Sequence, residues 1–203
     1  MTPQAALTMM RNQTRQFLER HVVVIGGNPN SGIVACRIDD LGVPGQRPGR
    51  ILRTLNMRNT DAFFLGPSNV VGGGAAFNAH WAKMEEWQTA QDLINIAPYQ
   101  LDNTGPDLFL TVKLTGCSIG MIDTGGGGLQ ILHIRPSDEV NGVALQGTLQ
   151  RTGGWTKVYG ANTYGAGRAI SVVGRRQANA WKIYAQKQGT TDMSIHSVHR
   201  IWP

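Results

Sequence analysis

Two stretches of the chain place apolar residues at helical spacing, and most of the remainder clusters them in short runs. The first stripe is Leu7, Met10, Phe17 and Leu18, with Thr14 between them. It predicts an N-terminal helix, with Thr2 as its cap and Pro3 at the first helical position. The second stripe is Phe77, Trp81, Met84 and Ile94, with Trp87 nearby, and it predicts a helix over 77–95 that Pro98 ends. Short runs predict strands at Val22–Ile25 and Ile33–Ile38, and further ones at 51–55 and 63–65. From Leu108 onward the pattern predicts strands at 108–114, 118–122, 129–134, 143–149, 155–160, 169–173, 181–185 and 194–200. Turn residues separate them every ten residues or so, as in a sandwich or barrel. Residues 26–32, 39–50 and 66–74 are rich in glycine or proline and read as loops. No repeat or linker divides the chain. The expectation is a single domain over 1–203, of α+β class: a mixed β-sandwich with two or three packed helices.

Composition narrows the classes. Glycine makes up 26 of the 203 residues, which suits many short strands and tight turns. There are 19 Lys and Arg against 13 Asp and Glu, a net charge of +6. That favours an acidic partner surface. The densest basic dipeptide is only Arg175-Arg176, and the chain shows no zinc-finger spacing, no ribonucleoprotein aromatic motif and no basic helix, so nucleic acid is not the expected partner. The glycine loop 26–32 has no Gly-Lys-Ser/Thr ending and is not a phosphate loop. No apolar run approaches membrane-spanning length, and no signal-like segment follows Met1. His196 and His199 at i,i+3 on an expected strand, with two distant cysteines, do not make a ligand set, so no metal and no cofactor is expected.

The cysteines are Cys36 and Cys117. Cys36 sits inside the apolar run Ile33–Ile38 and reads as a buried thiol. Cys117 is different. It follows the strand-like run 108–114 in Leu114-Thr115-Gly116-Cys117, and His133 closes the run Leu129-Gln130-Ile131-Leu132. Between the runs lies Asp123-Thr124-Gly125-Gly126-Gly127-Gly128, so the two form a β-hairpin. A hairpin symmetric about Gly125 pairs Cys117 with His133, Ile119 with Ile131 and Met121 with Leu129. Opposed residues stand about 4.5–5.5 Å apart at Cβ, within reach of proton exchange. A thiol attacks only as thiolate and histidine is its usual base. The same pair also fits a buried structural thiol and a packed imidazole, and spacing alone leaves both readings open. His80, on the second expected helix, is a lesser candidate.

The segment Asp107–Cys117, with Leu-Phe, a strand and then Leu-Thr-Gly-Cys, resembles the nucleophile segment of the glutamine deamidase toxins typified by Burkholderia lethal factor and the cytotoxic necrotizing factors. His133-Ile134 resembles the strand end that carries their histidine. A second patch, Asn162-Thr163-Tyr164-Gly165, Val172-Val173-Gly174, Arg176-Gln177 and Tyr184-Ala185, resembles the tail of the same toxins. The resemblance covers about residues 100–203, and the turn between Cys117 and His133 is longer here, with four consecutive glycines. It implies a catalytic domain of that family, with Cys117 as nucleophile, His133 as base and Thr111 as the group orienting the imidazole. Backbone amides around Gly116, Cys117 and Ser118 would hold the oxyanion, and Tyr164 would line the pocket. It further implies a monomeric toxin or effector, secreted or injected into host cytoplasm without a cleavable signal. It would act on a host protein of the GTPase or translation-initiation helicase class. A transglutaminase, a cysteine peptidase on the same dyad and a non-catalytic basic binding module remain the alternatives.

Overall fold

A computed structural model describes residues 1–41, 62–87, 95–137, 141–152, 154–190 and 193–203. The expected strand at 51–55, most of the 39–50 loop and the segment 88–94 of the second expected helix lie outside the described residues. The N-terminal helix forms as two pieces, α1 (Pro3–Asn12) and α2 (Thr14–Arg20), broken where Gln13 leaves helical geometry. The Thr2 hydroxyl accepts the Ala5 N–H and Pro3 opens the helix. Leu7, Met10, Thr14, Phe17 and Leu18 all face inward.

The strands are β1 (Val22–Ile25), β2 (Gly32–Asp40), β3 (Ala62–Pro67), β4 (Ala75–Trp81), β5 (Met84–Trp87), β6 (Tyr99–Leu101), β7 (Leu108–Leu110), β8 (Ser118–Gly125), β9 (Gly128–Pro136), β10 (Lys157–Tyr159), β11 (Arg168–Gln177), β12 (Ala180–Gly189) and β13 (Ile195–Trp202). They form two mixed sheets. The larger runs β1-β3-β2-β4-β7-β11-β12-β13; the smaller runs β10-β8-β9-β5, with β6 also on β9. The later helices are α3 (Gly142–Thr152) and a single turn, α4 (Ala161–Tyr164). The protein is therefore mixed α+β with packed sheets, as expected.

Three apolar clusters stack these elements in layers. Leu7, Phe17 and Leu18 from α1 and α2 cover one face of the large sheet, over Cys36, Phe63 and Trp81. Phe109, Ile170, Ile183 and Ile201 on the other face of that sheet meet Ile119, Met121 and Ile131 of the small sheet. Leu145 and Leu149 of α3 cover the outer face of the small sheet, over Leu132 and Ile134. Alternating side chains put the two faces of the central strands into two different cores.

Two expected elements change type. The helix expected over 77–95 is β4 and β5 as far as Trp87. β4 lies between β2 and β7, with its backbone committed to both ladders. The residues that look like a helical stripe divide between cores: Phe77 and Trp81 pack under α1, while Met84 packs between the sheets. His80 consequently lies on a strand. The expected strand at 143–149 is α3. Its start is set by Asn141, whose side chain accepts the Ala144 N–H at 2.9 Å while its carbonyl accepts from Leu145 at 3.1 Å. Leu145, Gln146 and Leu149 then share a buried face at helical spacing. The expected strand 108–114 is shorter, ending at Leu110, with an isolated bridge from Leu114 to Ile170.

Candidate active site

The hairpin that carries Cys117 and His133 forms, but in a different register. β8 and β9 pair Ile119 with His133, Met121 with Ile131 and Asp123 with Leu129. The turn is centred on Gly126 and Gly127, both at positive φ, as a two-residue hairpin turn requires, and a bulge between Asp123 and Gly125 takes up the extra residue. The register therefore moves by two positions from one symmetric about Gly125. An even shift preserves parity, so Ile119, Met121, Ile131 and His133 keep to one face, toward the large sheet. Cys117 immediately precedes β8 and packs with that same face.

His133 lies where the parallel strands β4 and β7 end. Their registers stop at Trp81↔Leu110, and the next residues, Ala82 and Thr111, turn toward β9. The Thr111 hydroxyl donates to the Ala82 carbonyl at 2.7 Å and lies 2.6 Å from His133 Nδ1. A carbonyl only accepts, and a hydroxyl has one proton. Toward the imidazole, Thr111 Oγ1 is therefore the acceptor, and Nδ1 carries the hydrogen. The other nitrogen, Nε2, is left with its lone pair. It is buried and has no hydrogen-bond partner. Burial holds this imidazole far below its ordinary range, at about 3, so the ring is neutral near pH 7. The position expected to orient the base, Thr111, does contact it, through the hydroxyl.

The Cys117 thiol is also buried, at 3 % exposure. It donates to Met84 Sδ at 3.8 Å, and Met84 is the residue of β5 that pairs directly with His133. Burial raises the thiol above its ordinary range; the Thr115 amide, the Arg135 charge and the residue's own amide oppose this less strongly. The expected thiol–imidazole contact is not made: the neutral thiol is held on the Met84 thioether, Ile119 stands opposite His133, and the neutral imidazole keeps one unused lone pair. Sequence reasoning missed Met84 and Ala82 because both fell inside the misread helix; only strand geometry brings them here.

The remaining expected residues divide. Tyr164 is buried and its hydroxyl donates to the Cys117 carbonyl at 2.9 Å. Gln146 of α3 places it: its side-chain oxygen accepts the amides of Asn162 and Thr163, and its nitrogen donates to the Thr163 hydroxyl at 2.7 Å. Gly116 has φ +91, a conformation that glycine tolerates best, and its carbonyl packs so closely on Gly142 that a Cβ there would come within 2.1 Å. Ser118 sends its side chain to the opposite face, where its hydroxyl is buried beside Gly160 without a partner. It can contribute to the site only through its backbone. Cys36 lies under α1 and α2, fully buried, its thiol pushed up to about 12 by burial alone.

No protein-family model matches the chain, and no curated protein matches it either. The candidate site is defined by its own geometry: a cysteine before β8, a tautomer-fixed histidine on β9 and a threonine behind it.

Proposed function

We propose that this protein is a protein-glutamine deamidase with Cys117 as nucleophile, His133 as general base and acid, and Thr111 as the residue that positions the imidazole. The observation that carries the reading is the chain from the Ala82 carbonyl through Thr111 to His133 Nδ1, which leaves Nε2 as a base. A packed structural histidine has no need of an unused buried lone pair, since an unmade hydrogen bond at a buried group costs roughly 1–3 kcal/mol.

In the reaction, Sγ leaves Met84 and attacks the carboxamide carbon of a substrate glutamine while its proton passes to His133 Nε2. The C–N bond then breaks, and the proton on Nε2 goes to the departing ammonia. Water adds to the thioester, giving its proton to Nε2, and the C–S bond breaks to release glutamate and regenerate the thiol. Backbone amides beside Gly116 and Cys117 are the candidate donors to the tetrahedral oxyanion. Low dielectric around both groups disfavours a standing thiolate–imidazolium pair, so proton transfer accompanies attack.

The resemblance of residues 100–203 to the lethal factor and cytotoxic necrotizing factor toxins supports glutamine as the substrate, a catalytic sandwich of their type, and a role as a secreted or injected effector. The partner would be a host GTPase or translation-initiation helicase. The test is peptide mass mapping of host lysate treated with the parent protein or with Cys117→Ser, with and without a primary amine probe. The expected result is conversion of a glutamine to glutamate with ammonia released, dependent on Cys117. Dominant amine incorporation would make the protein a transglutaminase, and no Cys117-dependent change would leave a binding module.

A further inference from the structure

One cavity opens at the edge of the layer between the two sheets, on the side where α4 and β10 meet β12 and β13. It has a volume of about 260 Å³, and Lys157, Lys187, His199 and Arg200 are among the side chains that line it. No lining residue is acidic. None of the four makes an ion pair or side-chain hydrogen bond. They come from both sheets: Lys157 from β10 of the small one, and the other three from β12 and β13 of the large one. Lys187 reaches across toward α4, where a Cβ on Gly165 would lie 3.8 Å from its Nζ. Three standing cations and His199 therefore surround an opening.

The inner wall of this cavity touches the backbone of the proposed nucleophile. Tyr159 and Tyr164 line it, both nearly fully buried. Tyr164 holds the Cys117 carbonyl at 2.9 Å. Tyr159 pairs with Ile119, two residues beyond Cys117. A chain segment seated among the four basic groups lies against the wall that supports the nucleophile.

We propose that this cleft is the substrate-recognition site of the enzyme and takes an acidic peptide segment next to the target glutamine. This rests on the deamidase reading above. The chemistry selects carboxylates: a concave site lined by three unpaired cations, Lys157, Lys187 and Arg200, focuses attraction on an anionic partner and steers it in. A peptide fits better than nucleic acid, because single-stranded nucleic acid is held largely by stacking on accessible aromatic faces, and both tyrosines here are buried in the wall.

The test uses the Cys117→Ser protein, so that binding is read without turnover. The probe is a fluorescently labelled peptide with a central glutamine flanked by glutamates, compared by anisotropy with the same peptide carrying glutamines in place of the glutamates. The acidic peptide should bind more tightly, and its affinity should fall as salt rises. Lys157→Glu with Lys187→Glu should weaken it roughly tenfold or more, the scale of two exposed ion pairs turned to repulsion. Arg20→Glu with Arg151→Glu, equal in charge but on exposed helix positions elsewhere, should leave it within about twofold. Lys157→Gln with Lys187→Gln guards against misfolding of the reversed variant and should weaken binding less.

Equal binding of the two peptides, or equal loss in the Arg20/Arg151 variant, would overturn the proposal. So would an oligonucleotide of equal charge that binds more tightly than the peptide and is lost in the same cleft variants. The deamidase reading fails separately. Charge-selective binding with no Cys117-dependent deamidation keeps the cleft and removes the reaction. Deamidation undiminished in the cleft variants keeps the reaction and removes the cleft.

Discussion

His80 and His133 sit on elements that follow closely in the chain's path: His80 is the last but one residue of β4, and His133 pairs with Met84 of the strand that follows. Both rings are buried, and burial lowers the proton affinity of both. Their hydrogen bonding separates them. His80 Nε2 donates to the Thr104 carbonyl at 3.2 Å, which leaves Nδ1 to accept the Tyr99 hydroxyl at 2.8 Å. Trp181 meets the ring edge-on and in turn donates to the Asp102 carbonyl. Every polar atom of His80 is used in fastening the segment 99–105 to the large sheet. His133 uses one nitrogen and leaves the other idle. One histidine is saturated; the other keeps a buried lone pair that no group in the structure uses. The cysteines differ less: both are buried in apolar clusters, but the Cys117 thiol has a partner in Met84 Sδ and its carbonyl accepts the Tyr164 hydroxyl.

The largest effect that tests this contrast is removal of the proposed nucleophile. Cys117→Ser should lower glutamine conversion by about 10⁴-fold or more, with an unchanged far-UV spectrum. Cys36→Ser should keep activity and lose roughly 1–3 kcal/mol of stability, since a hydroxyl there has no partner. Comparable activity losses in the two variants would erase the distinction. The next effect sits on the orienting residue. Thr111→Val leaves Nδ1–H without its acceptor and frees the tautomer, and kcat should fall roughly a hundredfold with KM little changed. Thr111→Ser should restore most of the rate. A valine variant as active as the parent would show that the hydroxyl does not position the base.

A smaller effect is the pH dependence of stability. Well above pH 6.5 neither the folded nor the unfolded chain protonates His133 appreciably. As pH falls below the ordinary imidazole value of 6.5, the unfolded chain binds a proton and the folded one does not. Stability is then lost progressively down to about pH 3, where the folded ring also protonates. The slope from one such ring approaches about 1.4 kcal/mol per pH unit. Urea midpoints at several pH values for the parent and for His133→Gln measure it as a difference, which cancels the carboxylates. Identical slopes would mean the ring is hydrated and not buried. The smallest effect belongs to the saturated histidine. Tyr99→Phe removes one donor to His80 and should cost roughly 1 kcal/mol in chemical unfolding, with deamidation unaffected.

Much of the site could be read along the chain. Cys117 and His133 stand in segments whose local pattern marks them, Thr111 and Tyr164 are marked only by the resemblance of their segments to the toxin family, and the run of glycines between Cys117 and His133 can only turn. The register could not be read there, because four glycines allow several turns; the bulge and the Gly126-Gly127 pair decide it. Met84 was hidden for a deeper reason. Phe77, Trp81 and Met84 satisfy helical spacing well enough, yet β4 is held between two neighbouring strands, and pairing overrides a local pattern.

The N-terminal helices, most of the strands and the parity that puts His133 on the inner face of the hairpin are determined by the sequence itself, since caps, alternation and glycine turns act over a few residues. Strand order, the meeting of Thr111 with His133 and the seating of the Cys117 thiol on Met84 are decided only by the tertiary structure. Those contacts join residues 22 to 33 positions apart in the chain, and no local preference specifies them. They form because the inner apolar faces of the two sheets cover each other, while helices cover the outer ones.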